Sequence, residues 1–439
     1  MRVAVTTLGC KVNQYDSATI ESRLRAEGCE IVTFAPGADV YIVNSCTVTD
    51  RADAESRQLA RRARRFSANA RVIMTGCFAQ VNPQRAAIPE VDHVVGLNRL
   101  PDLIRAVRGE LAAATERVLV DDLRTARQVR TLGAESFTGQ TRAFLKIQEG
   151  CDLFCTFCIV PMARGRSRSV PPRQVLVQLE MLAQRGFREV VLTGVHLGGY
   201  GHDMDPAIDL CELLEMLVEC SPVPRLRLSS IDPPEVTPRL LGLMARGAVL
   251  CPHLHVPIQA GHDDVLRRMR RKYDTSFVRA LGHEIRAVLP EAAIGTDLIT
   301  GFPGETEAQF EAALELLHDL PLTYFHVFPY SQRHGTTAAK MADQLAPQWI
   351  RRRAQRLRKL GEQKRAAFAS GFVGATMRVL VEAAPARTAG RVQGYSRNYQ
   401  RVELAAAPDL AHREVVVGIV AAQGATLLGH AAGGAVSGS

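Results

Sequence analysis

The 439-residue sequence has no apolar run approaching the roughly 20 residues that a membrane-spanning helix needs. Its opening, MRVAVTTLG, alternates and is too short to be the apolar core of a secretory signal. The expectation is a soluble, cytoplasmic protein. Cysteine is sparse as well: ten in a chain of this length make no dense disulfide scaffold, so free or metal-bound thiols in a reducing compartment are expected. Acidic residues fall short of basic ones, 45 against 54, for a formal net charge of +9. That excess favours a polyanionic partner without identifying one. The shortage of acid is sharpest in RRRAQRLRKLGEQKRAAF, where Arg351, Arg352, Arg353, Arg356, Arg358, Lys359, Lys364 and Arg365 face only Glu362. A second basic stretch holds Arg61, Arg62, Arg64 and Arg65. Each is compatible with a solvated helical face, and the two together favour nucleic acid.

What is present divides the chain into regions of different character, and the fold class read from them is α/β. In residues 1–115 the short apolar strands RVAVTTLG, DVYIVNSC and RVIMTGC alternate with helical segments, as in a parallel sheet covered by helices. Residues 116–138 lose apolar periodicity and read as a linker. Residues 139–368 offer six strands, AFLKIQEG, EVVLTGVHL, RLRLSSI, HLHVPIQAG, AIGTDLITG and YFHVFPYS, separated by helices. One helix is expected after Pro171 and Pro172, with Val175, Leu179 and Leu182 inward and Gly186 at its end. Another starts at Thr306, with Gln309 completing a capping box and Phe310, Leu314 and Leu317 inward. Repeated strand-helix units make a parallel barrel or a doubly wound sheet, with reactive groups at the carboxyl ends of the strands. Residues 369–431 read as short strands of a small antiparallel barrel of the kind that binds RNA, and 432–439 as a flexible tail.

The cysteines fall into groups. GCDLFCTFCIVP places Cys151, Cys155 and Cys158 after the first barrel strand with no fourth cysteine nearby. A closed structural zinc site wants four ligands, whereas three thiolates on an iron-sulfur cube leave one iron open to a small molecule. A zinc site completed by a distant ligand is the competing reading. Cys10, Cys46 and Cys77 each follow a strand of the first region, where parallel strands converge on one crevice, so one cluster could bridge them; three unrelated buried thiols are the alternative. Cys29, Cys211, Cys220 and Cys251 show no such pattern and read as packing residues.

The motifs TLGCKVNQYDS, VNSCTVT, TGC, GCDLFCTFCIVPMARGRSRS, LTGVHLGGYG, RLSSIDP, HLHVPIQAGHDDVLRRMRRKY, DLITGFPGET and FHVFPYS, in this order from Thr7 to about Leu404, resemble the radical S-adenosylmethionine methylthiotransferases. TLGCKVNQ, LTGVHLGGYG and GYSRNY resemble the branch acting on N6-threonylcarbamoyladenosine at position 37 of tRNA. The resemblance implies an N-terminal methylthiotransferase domain, a partial (β/α)6 radical SAM barrel and a TRAM-like RNA-binding domain. It implies two [4Fe-4S] clusters. One, on Cys151, Cys155 and Cys158, chelates S-adenosylmethionine and cleaves it to methionine and a 5'-deoxyadenosyl radical. The other, on Cys10, Cys46 and Cys77, carries the sulfur, so two S-adenosylmethionine molecules are consumed per product. It further implies a low-potential electron donor such as flavodoxin or ferredoxin, and the chain is expected to be a monomer with no membrane partner.

Other carried-over site residues are Gly194 and Val195, expected against the methionine part of S-adenosylmethionine, and Ser229, Ser230, Gln259 and Asp297, read at the ends of later strands as hydrogen-bonding its ribose, carboxylate or adenine. Arg164 and Arg166 could meet substrate phosphate or the cofactor carboxylate, and His253 and His255 read as barrel filling. The sequence departs from the family pattern at Ala260 and His262, where serines are expected, and at His334 and Thr337, where proline is more usual. Rival readings are the same chemistry on N6-isopentenyladenosine in tRNA or on an aspartate of a small-subunit ribosomal protein, and a non-catalytic tRNA-binding zinc protein.

Overall fold

The computed structural model describes the chain except residues 113–114, 127–128, 130–132, 134–136, 138, 387, 389, 408–409 and 436–439. The strands of the first region are β1 (Arg2–Thr7), β2 (Glu30–Val32), β3 (Val40–Ser45), β4 (Arg71–Gly76), β5 (His93–Val95) and β6 (Val118–Leu119). They form one parallel sheet in the order β2-β1-β3-β4-β5-β6. Alternation sends Tyr41, Val72 and Met74 to one face, against Ala60, Ala63 and Phe78, and Val40, Ile42 and Ile73 to the other, against Ile20, Leu24 and Leu103. Strands β2, β5 and β6 have at most three residues, too few for a legible period. Strand β6 therefore lies inside the segment expected to be linker. That segment is also anchored by Leu123 and Phe137, which are buried singly and so leave no periodic trace.

The six expected central strands are all formed. They are β7 (Arg142–Lys146), β10 (Glu189–Thr193), β11 (Arg225–Leu228), β12 (His253–His255), β13 (Ala293–Thr300) and β14 (Tyr324–Pro329), with the short pair β8 (Gln148–Glu149) and β9 (Arg168–Ser169) between the first two. β7, β10 and β11 form one parallel sheet and β12, β13 and β14 another. Single parallel bridges, Leu226 to Leu250 and Ser230 to His255, join them into an open barrel in chain order. The antiparallel pair β8-β9 closes the base of the cysteine loop. The helix Pro172–Gln184 buries Val175, Leu179 and Leu182 as expected. The helix Glu307–Asp319 has the Thr306–Gln309 capping box, but its buried stripe is Phe310, Ala313, Leu316 and Leu317, leaving Leu314 half-buried.

The C-terminal strands β15 (Thr376–Pro385), β16 (Arg391–Ser396), β17 (Arg401–Ala405), β18 (Glu414–Gln423) and β19 (Thr426–Ala435) close a barrel in the order β15-β16-β17-β19-β18. It is antiparallel except for β17 and β19, which pair in parallel. A closed ring of five strands cannot alternate direction throughout, so one parallel pair is unavoidable. Strand β19 pairs as far as Ala435, four residues into the expected tail, of which 436–439 lie outside the described residues. No helix among the described residues is long and apolar enough to cross a membrane.

The basic helix Pro347–Ser370 is less one-sided than its sequence. Arg353 is buried on Glu305 and Glu307, and Arg356 pairs with Glu311, so the missing acids come from the neighbouring helix and its lead-in. Arg351, Arg352 and Lys359 remain exposed.

A buried ion network docks the C-terminal barrel on the central one. Fully buried Glu189 lies 2.7 Å from both Arg225 and Arg227, while Arg225 also reaches Glu414 at 3.1 Å and Arg227 donates to the carbonyl of Arg397. Burial alone would raise the Glu189 carboxyl, but the two arginines outweigh it and hold it down at about 2. Its contribution to stability is therefore complete above the ordinary glutamate value near 4.5 and is lost as pH falls towards 2. Glu189→Gln leaves two buried guanidinium groups under-compensated and is expected to cost ~3–5 kcal/mol. A urea midpoint unchanged from the parent protein at neutral pH would show that this network does not hold the domains.

Candidate cysteine centres

Two triads of free thiols stand at strand ends. Cys46 and Cys77 directly follow β3 and β4, and Cys10 stands three residues beyond the end of β1, strands adjacent in the sheet, where Thr7 pairs Asn44 and Ser45 pairs Gly76. Gly9 backs onto Cys46: with φ +101°, it would place a Cβ 3.0 Å from the Cys46 sulfur. Asn13, in the helix Lys11–Ala26, staples this edge by donating to the carbonyls of Leu8 and Ser45 at 2.7 and 3.0 Å. Burial, then the charges of Cys77 and Cys10, pushes the Cys46 thiol up to about 12, and burial also raises Cys77. Three bare thiolates would repel one another here. An iron-bearing group supplies the compensating positive charge and displaces the thiol protons, so the donor set fits such a cluster.

Cys151, Cys155 and Cys158 lie in the loop between β8 and β9. Thr156 pins that loop to the barrel, its hydroxyl donating to the Arg268 carbonyl at 2.8 Å and its amide to that of Met269 at 3.2 Å. Burial, then mutual repulsion among these sulfurs, raises Cys151 to about 11 and Cys158 to about 12, net of a backbone N–H bond to each. Arg271 donates to the Cys155 sulfur at 3.0 Å and grips Asp232 with its other arm. Nothing local in the sequence ties Arg271 to a cysteine 116 positions away.

Arg164, at the end of the helix Val160–Arg164 that follows Cys158, reaches Cys77 of the other triad. Read from the sequence as a phosphate or cofactor contact, it is instead buried, donating to the Cys77 sulfur at 3.4 Å, to Asn13 Oδ1 and to Glu149, with Asp16 at 2.8 Å. Four of its five N–H donors are committed to these partners, two of them carboxylates, so its charge is already compensated inside the protein. Arg166 is exposed beside Asp152 and over the Phe154 ring.

The remaining expected site residues divide. Gly194 and Val195 follow β10, and a Cβ at Gly194 would fall 2.9 Å from Gln148 Oε1, the oxygen that accepts from the His196 amide. Ser229 alternates with Arg225 and Arg227 on one side, and its buried hydroxyl has no partner among the described residues; Ser230 is exposed on the alternate side. Gln259 adopts φ +65° and donates its amide to the Asp297 carbonyl at 3.0 Å. Asp297 is not at a strand end: β13 continues to Thr300, so the carboxylate sits inside the barrel. There His255 at 2.8 Å and His326 at 3.2 Å outweigh burial and hold it well below the usual carboxylate range. His255, Asp297 and His326 therefore form a polar lumen cluster, and His253 bonds Tyr324 at 2.7 Å.

Comparison with known proteins adds to this geometry. Residues 2–96 match the uncharacterized protein family UPF0004, and residues 145–317 match the radical SAM superfamily. The threonylcarbamoyladenosine tRNA methylthiotransferase MtaB of Bacillus subtilis is 38% identical over 423 residues, covering 96% of this chain and 94% of that protein. The chain belongs to the radical SAM methylthiotransferase family. A tRNA-2-methylthio-N(6)-dimethylallyladenosine synthase of Methylobacillus flagellatus is 34% identical over 98% of each chain. Among solved structures, the radical S-adenosylmethionine methyltransferase TsrM of Kitasatospora setae shares the fold, with a TM-score of 0.54 at 17% identity over 74% of each chain. A methylthiotransferase of this family uses S-adenosylmethionine and a [4Fe-4S] cluster.

Proposed function

We propose that this methylthiotransferase replaces the C2 hydrogen of N6-threonylcarbamoyladenosine, at position 37 of tRNA, with a methylthio group, giving 2-methylthio-N6-threonylcarbamoyladenosine. The observation that carries the substrate is the 38% identity, across both cysteine triads, to a relative named for it, against 34% to one named for the dimethylallyl nucleoside.

Cys151, Cys155 and Cys158 would hold one [4Fe-4S] cluster through three thiolates, a ligand set one short of the four irons, which would leave S-adenosylmethionine a place to bind. When bound and reduced, that cluster supplies the electron that cleaves S-adenosylmethionine to methionine and a 5'-deoxyadenosyl radical. Arg271 holds Cys155 from the barrel side. Gly194 and Val195 give the cofactor a close backbone surface, and the unpartnered Ser229 hydroxyl is free to bond it, with Ser230, Gln259 and Asp297 as further contacts. Cys10, Cys46 and Cys77 would hold a second [4Fe-4S] cluster, which would supply the transferred sulfur, with its methyl group drawn from a second S-adenosylmethionine. Arg164 bonds Cys77 and Asn13 at that site. A flavodoxin or ferredoxin donates the electrons, and the protein works as a cytoplasmic monomer.

Mass spectrometry of tRNA nucleosides from cells with and without the gene tests the substrate. Deletion is expected to remove 2-methylthio-N6-threonylcarbamoyladenosine completely while its unmethylthiolated precursor accumulates. An unchanged level, with loss of the methylthio-isopentenyl nucleoside instead, would move the substrate to the other branch.

A further inference from the structure

A cavity of about 350 Å³ opens where the first domain, the central barrel and the C-terminal barrel meet, lined by Lys11, Gln14, Thr141, Arg142, Arg227 and Tyr399 among others. That volume is within the roughly 300–1,000 Å³ of small-molecule sites. Its charge is unbalanced. Arg142 lies 3.2 Å from Glu382, and Arg227 is occupied by Glu189. Lys11 has neither a carboxylate in contact nor a hydrogen-bond partner among the described residues. Of the groups whose charge would favour its ammonium, Tyr399 is a phenol and Asp297 is taken by His255 and His326. Lys11 instead stands within the fields of Arg142 and Arg227, both of which repel it. Tyr399 lies between those arginines, 5.4 and 4.8 Å from ring centre to guanidinium carbon, and its ring forms one wall.

A half-buried ammonium that lines the cavity together with two guanidinium groups, and is unpaired among the described residues, calls for an anionic ligand. Lys11 directly follows Cys10, so this anion would bind beside the sulfur-carrying triad. The threonylcarbamoyl substituent ends in a carboxylate, whereas the isopentenyl substituent is an apolar hydrocarbon that would leave the ammonium unpaired. We infer that this cavity receives the threonyl carboxylate of the substrate nucleoside, with Lys11 as its counter-ion and Arg142 as a second donor. The inference rests on the substrate reading proposed above.

RNA phosphate could supply the same negative charge, and the test separates the two. Binding of the cluster-loaded enzyme is measured for an anticodon stem-loop carrying N6-threonylcarbamoyladenosine, for the same stem-loop with that carboxylate as its methyl ester, and for one with unmodified adenosine. The parent enzyme is expected to prefer the acid over the ester by about 10- to 100-fold, the range of a charge-assisted hydrogen bond. Lys11→Met is expected to bind acid and ester alike, with iron content and S-adenosylmethionine cleavage showing that the variant is folded and loaded. Equal weakening of all three ligands by Lys11→Met would make the cavity a phosphate site, and an acid-to-ester ratio near one in the parent enzyme would equally overturn the inference. Methylthiolation of an isopentenyl stem-loop and not of the threonylcarbamoyl one overturns the substrate reading itself, and the inference with it.

Discussion

Cys155→Ala is expected to cleave no S-adenosylmethionine above background while its iron content falls by about half, one cube of two being lost. The three thiols act on one another: after burial, the charges of Cys155 and Cys151 raise Cys158. A methyl group at position 155 leaves Arg271 without its sulfur acceptor and one iron without a protein ligand. The loop itself should survive, because Thr156 and the β8-β9 pair anchor it without any thiol. A melting temperature near that of the parent protein together with absent cleavage separates loss of the centre from misfolding. Persistent formation of 5'-deoxyadenosine by Cys155→Ala would show that the radical centre lies elsewhere.

Cys46→Ala is expected to give the complementary result: S-adenosylmethionine is still cleaved, iron again falls by about half, and methylthiolated nucleoside drops to background. Cys46 is buried against Gly9 between the other two thiols, so its removal leaves two ligands and a void the sheet edge cannot close. The two centres stand on separate frameworks, a parallel sheet edge and a barrel loop, which is why one can fail alone. Arg164, which bonds Cys77, is also held by Glu149 and Asp16, so it keeps buried partners when this centre is lost. Normal product from Cys46→Ala would remove the sulfur-carrier role from this triad.

Much of the fold was legible because its signals are local. Strands β1, β3, β4 and the six barrel strands each carry an apolar run bounded by glycine or polar residues, and the Thr306 cap is written in four consecutive positions. Strands β2, β5 and β6 escaped notice because two or three residues carry no period. Asp297 was misplaced by the same shortness of view: inward and outward positions alternate along β13, but the point where the strand stops depends on its pairing with β14 as far as Pro329.

Charge was the least legible property. Counted along the chain, Arg353 and Arg356 belong to a bare basic face; in space they rest on Glu305, Glu307 and Glu311. Arg164 reads as a surface cation, yet folding buries it on Cys77 and Asn13, 87 and 151 positions away. Lys11 is the first residue of a helix, and only the convergence of three domains reveals it as a half-buried cation with no counter-ion in contact among the described residues.

The sequence by itself determined the order of the α/β elements and the identity of the two cysteine triads, because hydrophobic period, capping and ligand spacing act over a few residues. The tertiary structure alone decided which charges are neutralised, which polar atoms are left over and where the domains enclose a cavity. Coulomb interactions and desolvation depend on distance through space, and the partners that set them are brought together only when the sheet, the open barrel and the closed barrel have packed.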